Sequence, residues 1–154
     1  MSRIVRPLDP IVLEGDFVRL EPMTLEHHSG LCEIGLDPEI WRFTVVMIRT
    51  PEEMRSYMES ALSLQRDGTT LPFVTIERSS GRIVGSTRFG NYDPANRRIE
   101  IGWTWIARPW QRTAINTEAK YLMLAHAFDR PVALWEGPAR PRQAADDHRH
   151  RRRP

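Results

Sequence analysis

The sequence predicts an α/β (α+β) domain, a mixed and mainly antiparallel sheet flanked by helices. Three patterns carry this reading. Large apolar side chains fall on every second residue at Ile99, Ile101, Trp103 and Trp105, the period of a strand with one buried face. Thr50-Pro51-Glu52-Glu53 places a threonine cap, a first-turn proline and a glutamate at the third helical position, a helix start followed by Met54, Tyr57, Met58, Ala61 and Leu62 at helical spacing. LPFVTIER (71–78) and RIVGSTRFGN (82–91) flank Ser79-Ser80-Gly81, which reads as two strands joined by a short hairpin.

The remaining elements follow in chain order. Pro7 and Pro10 mark a loose lead-in. Phe17 to Pro22 alternates as a first strand after the Gly15-Asp16 turn, and Thr24 can cap a helix over roughly Leu25 to Gly35. His27 and His28 are neighbours and point in different directions from a helix, which disfavours a metal pair. DPEIWRFTVVMIRT (37–50) is a mixed aromatic link, and Asp67-Gly68 ends the capped helix. Tyr92 to Asn96 turns the chain back into the strand at Arg98. Pro109 lacks a backbone donor and stops the ladder near Ala107. A helix from about Ile115 to Phe128 comes last, apolar nearly all round, so it should pack on more than one side. The order is β-α-α-β-β-β-α.

With 154 residues, 40% hydrophobic and 27% charged, the chain fits one ordinary globular domain. It shows no signal-peptide pattern and no apolar run of membrane length, and its one cysteine, Cys32, excludes an internal disulfide framework; a cytoplasmic setting is expected. Cys32 reads as a small residue packed on an apolar helix face rather than a nucleophile. The net charge of +2 hides an asymmetry: residues 137–154 hold six arginines against Asp146 and Asp147, so this tail is +4 and the other 136 residues are 2 negative. The body is not a basic, nucleic-acid-like domain.

The strand-to-helix corner is the candidate binding site. A helix starting near Thr117-Glu118-Ala119-Lys120 would present unpaired N–H groups and the positive end of its dipole at the tip of the strand, an arrangement that suits phosphate. Here a resemblance enters. The string from Arg98 to Phe128, RIEIGWTWIARPWQRTAINTEAKYLMLAHAF, resembles the coenzyme A site of the GNAT superfamily of acetyl-coenzyme A-dependent N-acetyltransferases, in particular its RimJ/RimL-like branch. That family's Q/R-x-x-G-x-G/A signature is matched at Gln111, Ala114 and Asn116, with both glycine positions changed. Asparagine tolerates a left-handed backbone and can cap a helix; alanine fits less comfortably wherever φ must be positive. The element order agrees with a GNAT-like sheet.

The resemblance implies transfer of an acetyl group from acetyl-CoA to an amine, a protein N-terminus or a small molecule, with no metal. Backbone groups of Gln111, Arg112, Thr113, Ala114, Ile115 and Asn116 would hold the pyrophosphate, with the Arg112 side chain and the Thr117 hydroxyl adding to it. Thr104, Trp105 and Ile106 would lie along the coenzyme, a backbone N–H among them meeting charge on the thioester oxygen. Glu100, placed on the face opposite the tryptophans, is the candidate base, or else an exposed or salt-bridged strand glutamate. Trp41 and Phe43 would shape the acceptor pocket, or else pack on the core.

After about residue 130 the sequence departs from the family, which continues with a strand, a helix and two strands. Pro131 to Trp135 could be a stub of that fifth strand, and 137–154 has neither hydrophobic period. The expectation is an incomplete GNAT domain over 1–136, with that strand-helix-strand-strand part missing, and a disordered basic tail over 137–154. The tail reads as a product of translation in a shifted frame, which leaves open whether the truncated chain is active. Two other functions stay open: a non-catalytic coenzyme-binding or scaffold domain, and an RNA- or ribosome-associated protein acting through its basic tail. Oligomeric state is open.

Overall fold

The computed structural model describes residues 8–129. Pro131 to Trp135 and the basic stretch 137–154, on which the truncation, frame-shift and RNA-arm readings rest, lie outside the described residues. Five strands, β1 (Leu13–Glu14), β2 (Val18–Pro22), β3 (Leu71–Glu77), β4 (Ile83–Asp93) and β5 (Arg98–Ile106), form one sheet in sequential order, every pair antiparallel. Among the described residues three α-helices flank it: α1 (His28–Gly35), α2 (Pro51–Arg66) and α3 (Ala114–Phe128). This is the predicted α/β architecture of a mainly antiparallel sheet flanked by helices, and among the described residues the sheet is wholly antiparallel. The two-residue β1 was not predicted, because two residues show no period.

The sheet separates two cores. Leu20, Phe73, Phe89, Ile115, Ala119 and Met123 meet on the α3 face, while Leu31, Trp41, Met54, Met58, Val74 and Trp105 meet on the α1/α2 face. α3 buries the stripe Ile115, Ala119, Met123, spaced by four residues, and leaves Tyr121, Leu124 and Phe128 exposed among the described residues. Among the described residues its packing is on the sheet, through that stripe with partly buried Leu122 and Ala127 beside it.

The predicted caps are present, with one shift. The Glu53 N–H donates to Thr50 Oγ1 at 3.1 Å, but the Glu53 carboxylate accepts from Arg49 N–H at 2.6 Å, one residue ahead of the cap. Thr24 opens a 3-10 turn, Leu25–His27, that precedes α1, and its N–H donates to His27 Nδ1 at 3.0 Å. His28 Nε2 donates instead to the Pro51 carbonyl at 2.8 Å, so the two histidines diverge. Cys32 is half-buried on α1, and burial, helped by the Glu52 charge, pushes its thiol above the ordinary range.

A correction concerns β5. The period-two reading puts Ile99, Ile101, Trp103 and Trp105 on one face, but the ladder slips: Ser86 pairs with Trp105 and Arg88 with Gly102, three residues of β5 against two of β4. Trp103 takes up the extra residue with φ +50, a β-bulge. The slip changes the phase, so Ile99 and Ile101 pack with the α3-side core while Trp105 packs with the α1/α2-side core. Glu100, opposite Gly90 and two residues from Gly102, consequently shares the tryptophan face rather than the opposite one.

Glu118 fastens α3 to the sheet. Its carboxylate accepts the N–H groups of Asp16, Phe17 and Val18 at 2.7, 2.7 and 2.8 Å, a threefold acceptor across about a hundred residues of chain. Burial pushes this carboxyl up, but the three N–H bonds and the Arg78 charge outweigh it and hold it below its usual 4.5. A depressed carboxyl contributes stability that is present above the unfolded value and lost as pH falls through the folded one. Glu118→Gln should cost about 1–2 kcal/mol at pH 7. It should also flatten the fall of melting temperature expected of the parent protein below pH 4.5, followed by circular dichroism.

Candidate functional site: two clefts that meet at a bulge

Two bulges bracket Glu100. Besides the one at Trp103, β4 carries extra chain between Gly90 and Asp93, where Asn91 has φ +47. Asn91 Nδ2 then donates to Glu100 Oε2 at 2.9 Å, which orients the carboxylate. The Trp103 ring lies against Gly90, where an added Cβ would sit 2.3 Å from its Cζ3. Trp103 remains 41% exposed, and Trp105 only 4%.

A cleft of about 360 Å³ opens here, lined by Glu100, Trp103, Thr104, Trp105, Trp41 and Tyr57, with Thr44 to Val46 closing one side. Its wall is aromatic: Trp41 lies 5.2 Å from Trp105 and 6.3 Å from Tyr57 between ring centroids. Trp41 Nε1 donates to the Gly35 carbonyl at 2.8 Å, whereas Trp105 Nε1 is buried without a partner among the described residues. Trp41 thus serves both core and cleft. Phe43 lies outside it, 90% exposed beneath the Arg42 guanidinium.

A second cleft of about 270 Å³ adjoins the first and shares Thr104 and Trp105 with it; Ile106, Gln111, Arg112, Asn116 and Ile40 complete its lining. A 3-10 turn, Arg108–Trp110, leads from β5 to this corner, and Gln111 Nε2 donates to the Ile106 carbonyl at 2.8 Å. The positive φ falls on Arg112 (+59), not on Ala114, which is the first residue of α3 and needs no glycine. Asn116 sits inside the first turn, its Oδ1 buried without a partner among the described residues.

The N–H groups divide. Gln111 N–H donates to the Arg108 carbonyl at 3.2 Å and Ile115 N–H to Thr113 Oγ1 at 3.4 Å, so neither is free for a ligand. Among the described residues those of Arg112, Thr113, Ala114 and Asn116 carry no hydrogen bond. The Ile115 side chain is core, and Thr113, Ala114 and Thr117 are exposed but line neither cleft.

Lys120 was not foreseen as part of this corner. Its Nζ donates to Thr87 Oγ1 at 3.1 Å and to Thr104 Oγ1, and burial pushes the ammonium below its ordinary 10.5. The two threonine hydroxyls lie 2.8 Å apart across β4 and β5, so the lysine ties α3 to the bulged part of the strand. NTEAK held the signal only in retrospect, since which face Lys120 takes depends on the sheet beneath it. Among the described residues no group of three His, Cys, Asp or Glu side chains is placed to hold a metal ion, and no helix is long and apolar enough to cross a membrane.

Residues 18–146 match the profile of the acetyltransferase (GNAT) domain, most of the chain. The chain belongs to the GNAT acetyltransferase family. Among solved structures, a GCN5-related N-acetyltransferase from Brucella melitensis is 26% identical with a TM-score of 0.70, over 79% of this chain and 56% of that one. An acetyltransferase from Salmonella typhimurium that modifies the N-terminal serine of 50S ribosomal subunit protein L7/L12 shares the fold at 17% identity and a TM-score of 0.68, over 79% and 70%. The GNAT acetyltransferase from Bacillus anthracis gives 17% and 0.63, over 77% and 67%. Three further structures at 22–29% identity are covered over only 60–62% of their length. No curated protein matches the chain significantly.

The Trp103 seat is open to test. Gly90→Ala should displace the indole, costing roughly 1–3 kcal/mol of stability and shifting tryptophan emission, with both read from one fluorescence-monitored denaturant titration.

Proposed function

We propose that the chain is an acetyl-CoA-dependent N-acetyltransferase with an amine acceptor, and that its two adjoining clefts divide the work. The observation that supports this best is their shared wall: Thr104 and Trp105 line both the cleft with Glu100 and the cleft with Arg112 and Asn116. A donor held in one and an amine held in the other would meet at the bulge of β5.

The start of α3 suits the diphosphate of the coenzyme. The uncommitted N–H groups of Arg112, Thr113, Ala114 and Asn116 lie in and just before its first turn, and the exposed Arg112 guanidinium adds a full charge. When bound, the thioester supplies an activated acetyl group. Proton removal falls to this chain. An alkylamine with a pKa of ~10.4 costs about 4.6 kcal/mol to deprotonate at pH 7, so a base within one water of it is valuable. Glu100, oriented by Asn91 in the aromatic cleft, is the carboxylate available there. The break in the β5 ladder beside Thr104 leaves room for a backbone N–H to meet charge on the acyl oxygen. Trp41, with Tyr57 and Trp103, would select the acceptor. A RimJ/RimL-like acceptor, a protein N-terminus, is consistent with the fold shared with the L7/L12-modifying enzyme.

One observation favours a second reading, a coenzyme binder without transfer: one oxygen of Glu100 is already taken by Asn91. Acetyl-CoA should raise the melting temperature, by the equivalent of about 2.7 kcal/mol at a hundred times its Kd. Arg112→Ala should reduce that rise. Glu100→Gln should preserve it while lowering the rate of free thiol release with an amine acceptor by about 10²–10⁴-fold. A thermal rise without thiol release in the parent protein selects the binder, and no rise at all rejects the coenzyme site.

A further inference from the structure

Beyond the partition formed by Tyr57 and Trp103 lies a third groove, of about 550 Å³, whose lining includes Arg88, Ser56, Ser60 and Leu64. Tyr57, Trp103 and Val46 line this groove and the Glu100 cleft alike. Arg88 is only 5% exposed, and its Nε is buried with no partner among the described residues. Its guanidinium is held between two rings, 5.0 Å from the Tyr57 centroid and 5.1 Å from that of Trp103. Among the described residues it makes no hydrogen bond and no ion pair.

A buried cation with no carboxylate is an unfavourable arrangement that ring contacts only partly offset. Arg88 has carboxylates within reach of its groove and does not use them. Glu53 accepts from Arg49 N–H, Glu52 is exposed, and Glu100 bonds Asn91. The register accounts for the last of these. Arg88 pairs with Gly102 and Gly90 with Glu100, so the arginine and the glutamate are diagonal neighbours on one sheet face. The Trp103 indole, seated on Gly90 and packed on Arg88, occupies the space between them. The fold thus keeps an opposite-charge pair apart on a surface where it could have closed.

Resting on the acyl-transfer reading above, we propose that the acceptor is an amine that also carries a carboxylate, the amine lying beside Glu100 and the carboxylate against Arg88. The guanidinium offers the planar pair of donors that a carboxylate takes. Ser56 and Ser60, one helical turn apart on α2, add hydroxyl donors in the same groove. The two charges of the acceptor would complete the pair that Trp103 separates. The same chemistry is offered by a free amino acid and by a peptide N-terminus with an acidic residue close behind it.

Two matched pairs of probes test this by quenching of tryptophan fluorescence on the full chain without acetyl-CoA: aminocaproate against its amide, and seryl-glutamate amide against seryl-glutamine amide. The carboxylate member should bind about tenfold tighter in at least one pair, and the pair that discriminates identifies the source. Arg88→Met should abolish the discrimination and Arg88→Lys should retain part of it. Equal binding within both pairs overturns the proposal, as does undiminished discrimination in a folded Arg88→Met. Where Arg88→Met does not fold, the parent protein and Arg88→Lys decide. Thiol release with the same probes separates the two layers. Transfer to both members of each pair with equal KM sinks the carboxylate site alone, and discrimination without any thiol release sinks the acyl-transfer reading and the acceptor role with it.

Discussion

The bulge at Trp103 is the constraint on which the described site depends. A non-glycine residue held at positive φ costs roughly 1–2 kcal/mol, and here that cost reverses the facing of the last strand halfway along. Before the bulge β5 buries isoleucines against α3; beyond it, Trp105 turns to the α1/α2 core. The residue at the change of phase is an indole that fits only because Gly90 has no side chain. One extra residue thereby brings Glu100, Trp103 and Trp105 to a common cleft and breaks the ladder where the two clefts join.

The strand is braced on both faces. On one, Lys120 reaches from α3 to the hydroxyls of Thr87 and Thr104, a polar contact where the ladder is irregular. Glu118, two residues earlier, ties the same helix to the start of β2 and the turn before it through three backbone N–H groups. On the other face the Trp41, Tyr57 and Trp105 rings fill the space between the sheet and α2. The helix whose first turn carries the uncommitted N–H groups is thus fixed at its start, as a phosphate site needs.

Much of this was legible in the chain. Thr50-Pro51-Glu52-Glu53 specified the start of α2, Gly81 the hairpin between β3 and β4, and the strand-to-helix corner three residues, Gln111, Arg112 and Asn116, that line the second cleft. Each of these signals is local, a cap, a left-handed turn or a donor-rich helix start, and so survives without knowledge of the partners. Phe43 was grouped with Trp41 by proximity in the chain, but a two-residue offset in an irregular link leaves one ring in the core and the other in solvent.

What the sequence determined by itself was therefore the kind and order of the elements and the family to which they belong, because periodicity, capping and turn chemistry act over a few residues. Tertiary structure decided which face each side chain of β5 takes. It also placed Lys120 at the bulge and left Arg88 buried between two rings with no counter-charge among the described residues. Those outcomes depend on the register between β4 and β5 and on the space left by Gly90, and a one-residue slip in pairing changes them while leaving every local pattern intact.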